Sequence, residues 1–401
     1  MDLRSHYPYW LMRHGIIHSY PSLHEDTRAD IAIIGGGISG ALSAWYLSSA
    51  GYEVVVVDRR HIGMGSTAAS TALLQYEIDT PLRRLISLVG EQAAIRSYLL
   101  CRQAIDDIGE LCDHVGCAHS FRSIPSFQYA SFKKDRRSLY EEYQLRKKIG
   151  LDVEWMEEKD IRGNYGFSKA GGILSRDGAW ADAYQLTHSL LLNSIRNYGA
   201  RVHDHTHVVD IKYGKRGVEL LTSDQKKIRA AKLVIACGYE SQQYLPVRVQ
   251  QLRATYAVAS EPCHQQNFWY KNSLIWETAD PYIYMRTTED NRILLGGKDI
   301  FSSDPVKRDS LLNEKRKALE KAFSKLFPSV PFKTDFSWAG TFATTKDGLP
   351  YIGSIRQLPH AYFALGFGGN GITFSIIAAK IIRDLIKGKK NDDAGIFSFE
   401  R

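Results

Sequence analysis

Residues 31–58 read IAIIGGGISGALSAWYLSSAGYEVVVVD and set three glycines, Gly35, Gly37 and Gly40, in the spacing G-x-G-x-x-G. That spacing suits the binding of a pyrophosphate. Gly35 permits a tight turn, Gly37 lets the backbone come close to a phosphate, and Gly40 lets the next helix pack on the strand. The helix N-terminus offers unpaired N–H groups and the positive end of a dipole. Asp58 closes the second strand 18 residues after Gly40. A carboxylate there can accept hydrogen bonds from both hydroxyls of an adenosine ribose. The acid disfavours a 2′-phosphate, although Arg59 and Arg60 beside it are suited to one. The motif alone does not separate FAD from NAD.

Four further stretches narrow the choice. RRHIGMGSTAASTALLQYE (residues 59–77) puts glycines and short hydroxyls directly after the second strand, as a second phosphate or a ribityl chain would need. THVVDI is a strand able to flank an adenine, and KLVIACGYES is a buried strand ending in small residues. WAGTFATTKDGLPYIG precedes YFALGFGGNGITFSIIAAKIIRDLI, where Gly366, Gly368, Gly369 and Gly371 open another helix. Its N-terminus is placed to stabilise negative charge on the edge of a reduced flavin.

The elements that must position these residues follow from periodicity. Strand, helix and strand run over 29–58. Residues 80–116 read as helical through Leu82, Leu85, Ile86, Val89, Ala93 and Ile95. A strand over 126–131, a charged helix over 135–149 and a short strand over 152–156 follow. Residues 171–240 alternate again, with a helix ending at Gly199, a fitting C-terminal cap. Residues 247–300 are rich in strands and include a hairpin turning near Asp290 and Asn291. A basic helix over 306–327 sets Leu312, Leu319, Ala322, Phe323 and Leu326 on one face, the pattern of a docked surface helix. Residues 336–388 return to strand, loop and helix. Residues 1–28 lack periodicity and are expected to form a partly ordered arm. The fold class is α/β: one domain built from discontinuous segments, interrupted by a strand-rich α+β domain.

Bulk properties agree. A chain of 401 residues holds two or three domains and buries a core without disulfides. Its five cysteines form no C-x-x-C pair and fit a reducing compartment. No apolar leader follows the first charges, and the most apolar runs are too short to span a bilayer. A cytoplasmic protein with no membrane partner is expected. The formal charge of +8 favours anionic partners, but excess surface lysine is the preferred reading of it. No nucleic-acid motif accompanies it, so a nucleic-acid partner is not expected.

Taken together, these stretches resemble the D-amino-acid oxidase superfamily of FAD-dependent flavoproteins, which includes glycine oxidase, sarcosine oxidase and γ-glutamylputrescine oxidase. The resemblance runs from about residue 29 to residue 388. It implies a Rossmann-type FAD-binding domain (residues 1–85, 150–240 and 336–401) and a substrate domain (86–149 and 241–335). It implies hydride transfer from the carbon beside an amine to flavin N5, imine hydrolysis, and reoxidation by oxygen or another acceptor. The expected substrate is a small amine or amino acid. No strong side-chain base is required, since the protein's task is holding, desolvating and stabilising charge. Two alternatives stay open: a flavin enzyme acting on a modified tRNA base, and a non-enzymatic flavoprotein.

The resemblance assigns FAD, held non-covalently, to Gly35, Gly37 and Gly40 at the pyrophosphate and Asp58 at the ribose, with Arg59 beside it. Ser66 and Thr67 follow in the next loop, with Val208 beside the adenine and Gly238 nearby. Gly369, Asn370, Gly371, Ile372 and Thr373 belong near the ring, as do Leu74 and Gln75. Glycine oxidase carries an arginine where this chain has Phe342, so a substrate carboxylate loses its expected partner. Arg286 is the replacement candidate. Tyr282, Tyr284 and Arg286 alternate and share a strand face. Tyr256 and Arg253 are further candidates. His203, His205 and His207 alternate on one expected strand, a spacing that could bind zinc. The resemblance places that strand at the adenosine end, away from chemistry, and no metal is expected.

Overall fold

The computed structural model describes residues 2–264 and 268–401. Its nucleotide-side sheet has a parallel centre in the order Arg201–His203, Val54–Val57, Thr27–Ile34, Lys227–Ile235 and Ala361–Leu365. The four valines of Val54–Val57 are all buried, as a strand covered on both faces requires. Helices Ile38–Ser48, Ala183–Tyr198 and Gly371–Ile386 pack together on one face. On the other, Val55, Val57, Leu220, Ile228 and Phe363 share a core. Ser39 Oγ and Ser375 Oγ, 2.7 Å apart, tie two of the helices near their N-termini.

The second sheet has nine strands. In order they are Arg4–His6, Thr334–Thr344, Gln251–Ser260, Ile293–Ile300, Ile283–Thr287, Leu274–Glu277, Ser126–Tyr129, Gly172–Ser175 and Val153–Met156. One face takes the basic helix Leu312–Leu326, whose Leu319 and Phe323 join Tyr256, Val258, Leu295 and Ala339 in a core. The other face turns toward the nucleotide side. A three-stranded sheet of Leu73–Leu74, Ala179–Ala181 and Phe121–Ser123 lies apart from both.

Several elements depart from the sequence expectation. Thr334–Thr344 was expected to begin the last nucleotide-side segment, yet it pairs along its length with Gln251–Ser260, from Gln251 opposite Thr344 to Ser260 opposite Thr334. Gly172–Ser175 and Val153–Met156, expected on the nucleotide side, also lie in the nine-stranded sheet. Alternation marks a strand without saying which sheet it joins. The helix expected over 80–116 breaks at Gly90 into Leu82–Val89 and Glu91–His114. The arm is ordered: Arg4 pairs with Gly340, and a helix, Tyr9–His14, buries Tyr9 and Trp10. The three histidines do not share a strand. Arg201–His203 ends at the first, His205 turns at φ 46°, and Val208–Tyr213 starts after the third.

Candidate active site

The first cradle is built from the turn after Thr27–Ile34. Gly35 holds φ +110°, and a Cβ there would meet Ala236 O at 2.6 Å. A side chain at Gly40 would run into the Gly35 carbonyl, so Gly40 serves the packing of helix on strand and does not line the cavity. Asp58 accepts from Gly36 N at 2.7 Å and Arg60 N at 2.8 Å. Burial pushes its carboxyl above the usual range, against those two donors. Both arginines after it pair with Glu240, Arg60 at 2.9 Å.

The loop that follows is held from outside by its carbonyls. Arg4 Nε donates to Met64 O (2.9 Å), Trp338 Nε1 to Ala69 O (2.8 Å), Trp10 Nε1 to Ser70 O (2.8 Å) and Arg286 Nε to Thr71 O (2.8 Å). Inside, Thr67 Oγ1 accepts from Ile38 N at the first helix turn (3.0 Å), and Ser66 Oγ is buried without a partner. Ser66 and Thr67 line one long cavity with Gly35, Gly37, Asp58, Arg59, Val208, Gly238, Gln75, Gly369, Asn370, Gly371 and Ile372. An orphaned hydroxyl beside a glycine turn and a helix N-terminus suits a phosphate-bearing cofactor.

The same cavity continues to a second end. Asn370 Nδ2 donates to Gln75 O (3.0 Å) and Glu77 O (2.9 Å), fixing residues 75–79 against the glycine turn. Asp79 then opens onto the cavity, accepting from Gly369 N at 2.8 Å and from Tyr282 OH at 3.1 Å. Trp276, Tyr282, Tyr284, Thr255, Asp299 and Phe342 complete this end. Trp276 Nε1 and Gln75 Nε2 both donate to Ser126 Oγ, at 3.2 and 3.1 Å. Tyr284 lies across Gly296, where any Cβ would strike its ring.

Two carboxyls here are perturbed. Desolvation pushes Asp299 up to about 6; Thr255 and Arg253 oppose the shift, while Asp79 and Asp280 reinforce it. Asp299 Oδ1 is buried without a hydrogen-bond partner. Asp79 is also raised by desolvation, against the donors Gly369 and Tyr282. Arg253, the cation nearest this end, is not among the lining residues. It sits 3.9 Å from the Phe301 ring centroid and 3.8 Å from Asp280.

Besides Gly40 and Arg253, four expected site residues lie elsewhere. Arg286 is buried two residues beyond Tyr284 and does not reach the cavity. Tyr256 points to the opposite face, where its hydroxyl donates to Arg308 O at 3.1 Å. Leu74 is packed in the core, and its neighbour Leu73 lines the cavity instead. Thr373 Oγ1 donates to Asn370 O (2.9 Å) and secures the helix start without lining the cavity. Sequence reading missed Asp79, Asp299, Trp276 and Thr255. Asp79 was within reach by carrying the alternation Gln75, Glu77, Asp79 forward.

Comparison with known proteins agrees with this architecture. The chain matches the family of FAD dependent oxidoreductases over residues 30–385. It is 25% identical to a putative Rieske 2Fe-2S iron-sulfur protein of Bacillus subtilis, over 96% of this chain and 73% of that one. It is also 25% identical to the gamma-glutamylputrescine oxidoreductase of Escherichia coli, over 92% and 86%. The crystal structure of glycine oxidase from Geobacillus kaustophilus superposes with a TM-score of 0.76 at 21% identity, covering 93% of this chain and 99% of that one. No helix among the described residues is long and apolar enough to cross a membrane. The glycine cradle, the buried acid after the second strand and the matched span together place this chain in the D-amino-acid oxidase family of FAD-dependent oxidoreductases.

Proposed function

We propose that the chain oxidises a small cationic amine at the carbon beside nitrogen, the imine then hydrolysing and oxygen or another acceptor removing the electrons. FAD, when bound, supplies the hydride acceptor. Gly35, Gly37, Ser66 and Thr67 would hold its phosphates, Asp58 its ribose and Val208 its adenine. Gly369 to Ile372 would face its ring.

The observation that carries the choice of an amine is the wall of the second end. Asp79 and Asp299 stand with Trp276, Tyr282 and Tyr284, and no lysine or arginine lines that end among the described residues. Carboxylates and aromatic faces attract an ammonium group. A substrate carboxylate would meet like charge at short range. Phe342, lacking any donor, agrees with this.

An ammonium nitrogen must lose a proton before its carbon gives up a hydride. Asp299 Oδ1, buried and without a partner, is the atom placed to hold that proton. Its perturbed acidity suits the task near neutral pH. Asp79, braced by Gly369 and Tyr282, orients the substrate.

The test is anaerobic mixing of the holoprotein with linear monoamines, diamines and both enantiomers of amino acids. The expected result is bleaching of the flavin by amines and return of colour on admitting air or an artificial acceptor. Bleaching by no amine or amino acid would defeat the reading. Bleaching by amino acids alone would keep the oxidoreductase and defeat the preference for a cation.

A further inference from the structure

Arg286 is 1% exposed, and no carboxylate lies within ion-pair distance of it among the described residues. Its guanidinium carbon lies 5.4 Å from the Trp10 ring and 5.2 Å from the Trp180 ring. Nε donates to Thr71 O at 2.8 Å and Nη1 to Thr287 O at 3.0 Å, while Nη2 has no partner. The acids in its surroundings are taken. Asp182 is bound to His14 Nε2 (2.5 Å) and Gln185 N (2.9 Å), and Asp290 to Tyr9 OH (2.5 Å) and Arg292 Nε (2.8 Å). Arg13, the neighbouring cation, is paired with Glu289 at 3.0 Å.

Burying a charge without a counter-charge is costly, and two indole faces offset only part of that cost. A negative group arriving nearby would offset the rest of that cost. Thr71, Ala72 and Leu73 line the cavity, and Arg286 is hydrogen-bonded to the back of that wall. Tyr284, on the same strand face, lines the cavity itself. The guanidinium is therefore one backbone thickness from the space assigned to FAD. A flavin gains negative charge on reduction, and a fixed cation in a dry wall favours that state.

We propose that Arg286 is a positioning residue whose uncompensated charge, held behind Thr71 to Leu73, favours the reduced, electron-rich flavin over the oxidised one. The proposal rests on the FAD site and not on the identity of the substrate. It also gives the ordered arm a task, since Trp10 both flanks Arg286 and donates to Ser70 O.

The test uses FAD-loaded protein and needs no substrate. Arg286→Gln removes the charge and keeps a donor, whereas Arg286→Lys carries the charge only while its buried ammonium stays protonated. Trp10→Phe removes the bond to Ser70 O and leaves the charge. The readouts are the flavin midpoint potential and the dissociation constant for sulfite, which adds to oxidised flavin and leaves it negatively charged. Arg286→Gln should make the potential more negative and weaken sulfite about tenfold. Arg286→Lys should approach the parent at low pH and the Gln variant at high pH, as its buried ammonium loses its proton, and Trp10→Phe should loosen FAD while leaving both readouts in place. Should the Gln variant not fold, Arg286→Met fills the same slot between the indoles without charge. Unchanged potential and sulfite affinity in a folded, FAD-bound neutral variant would overturn the proposal. So would a Trp10→Phe variant that moves them as far.

Discussion

The two ends of the cavity are made in different ways. At the nucleotide end, many of the contacts are backbone turns and short hydroxyls, with Gly35 at φ +110° and Thr67 on the first helix N–H. At the substrate end, side chains converge from separate strands and from the loop carrying Asp79. The first end is fixed by local geometry that few residues can adopt. The second depends on which side chains the sheet register happens to bring together, so it is free to change with the substrate. That contrast makes the nucleotide end sensitive to any added atom and the substrate end sensitive to charge.

The largest effect should come from Gly35→Ala. A Cβ at that φ, facing Ala236 O at 2.6 Å, strains the turn by about 1–3 kcal/mol, enough to weaken FAD retention roughly ten- to hundredfold. Equilibrium dialysis of FAD measures it, and unaltered retention would remove the turn from the cradle. An effect of equal size is expected from Asp79→Asn. Losing a charge-assisted contact worth about 1.5–3 kcal/mol should raise the apparent dissociation constant of a diamine roughly ten- to hundredfold while FAD stays bound. Equal loss of diamine and FAD would erase the distinction between the ends.

A smaller effect concerns pH. Asp299 is raised to about 6 by desolvation, so it is mostly neutral below that pH and charged above it. A quaternary ammonium competitor, whose own charge does not titrate, should bind more tightly as pH climbs through about 6. Asp299→Asn should flatten that rise. The stability linkage has the opposite sign: the raised folded-state value makes this group's contribution fall as pH rises from the unfolded value toward 6. The smallest effect sharpens the contrast by its silence. Tyr256→Phe removes a buried bond to Arg308 O and should cost about 1 kcal/mol in denaturant unfolding, with no change in amine affinity.

Much of the nucleotide end was legible because its signal is contiguous. Gly35, Gly37, Asp58, Ser66 and Thr67 lie within one short run of sequence, and all five line the cavity. The second glycine turn was legible for the same reason. At the substrate end, alternation placed Tyr282, Tyr284 and Arg286 on one face, but not where along that face the cavity stops. It stops after Tyr284, because the arm's Trp10 and the strand carrying Trp180 close over Arg286. Tyr256 was misread because alternation along Gln251–Ser260 turns Thr255 to the cavity and its neighbour Tyr256 to the opposite face, where it joins Leu319 and Phe323. Asp299 and Trp276 carry no local signature; only the hairpin register and the parallel pairing of Leu274–Glu277 with Ser126–Tyr129 bring them to the site.

The most direct test of the central claim, that an FAD cradle faces an end built for a cationic amine, is one anaerobic titration. The FAD-loaded protein and its Asp79→Asn variant are each titrated with a linear diamine while flavin absorbance is followed. Complete bleaching of the parent and a roughly ten- to hundredfold weaker half-point in the variant are expected. Identical half-points, or bleaching by an amino acid where the diamine has no effect, would contradict it.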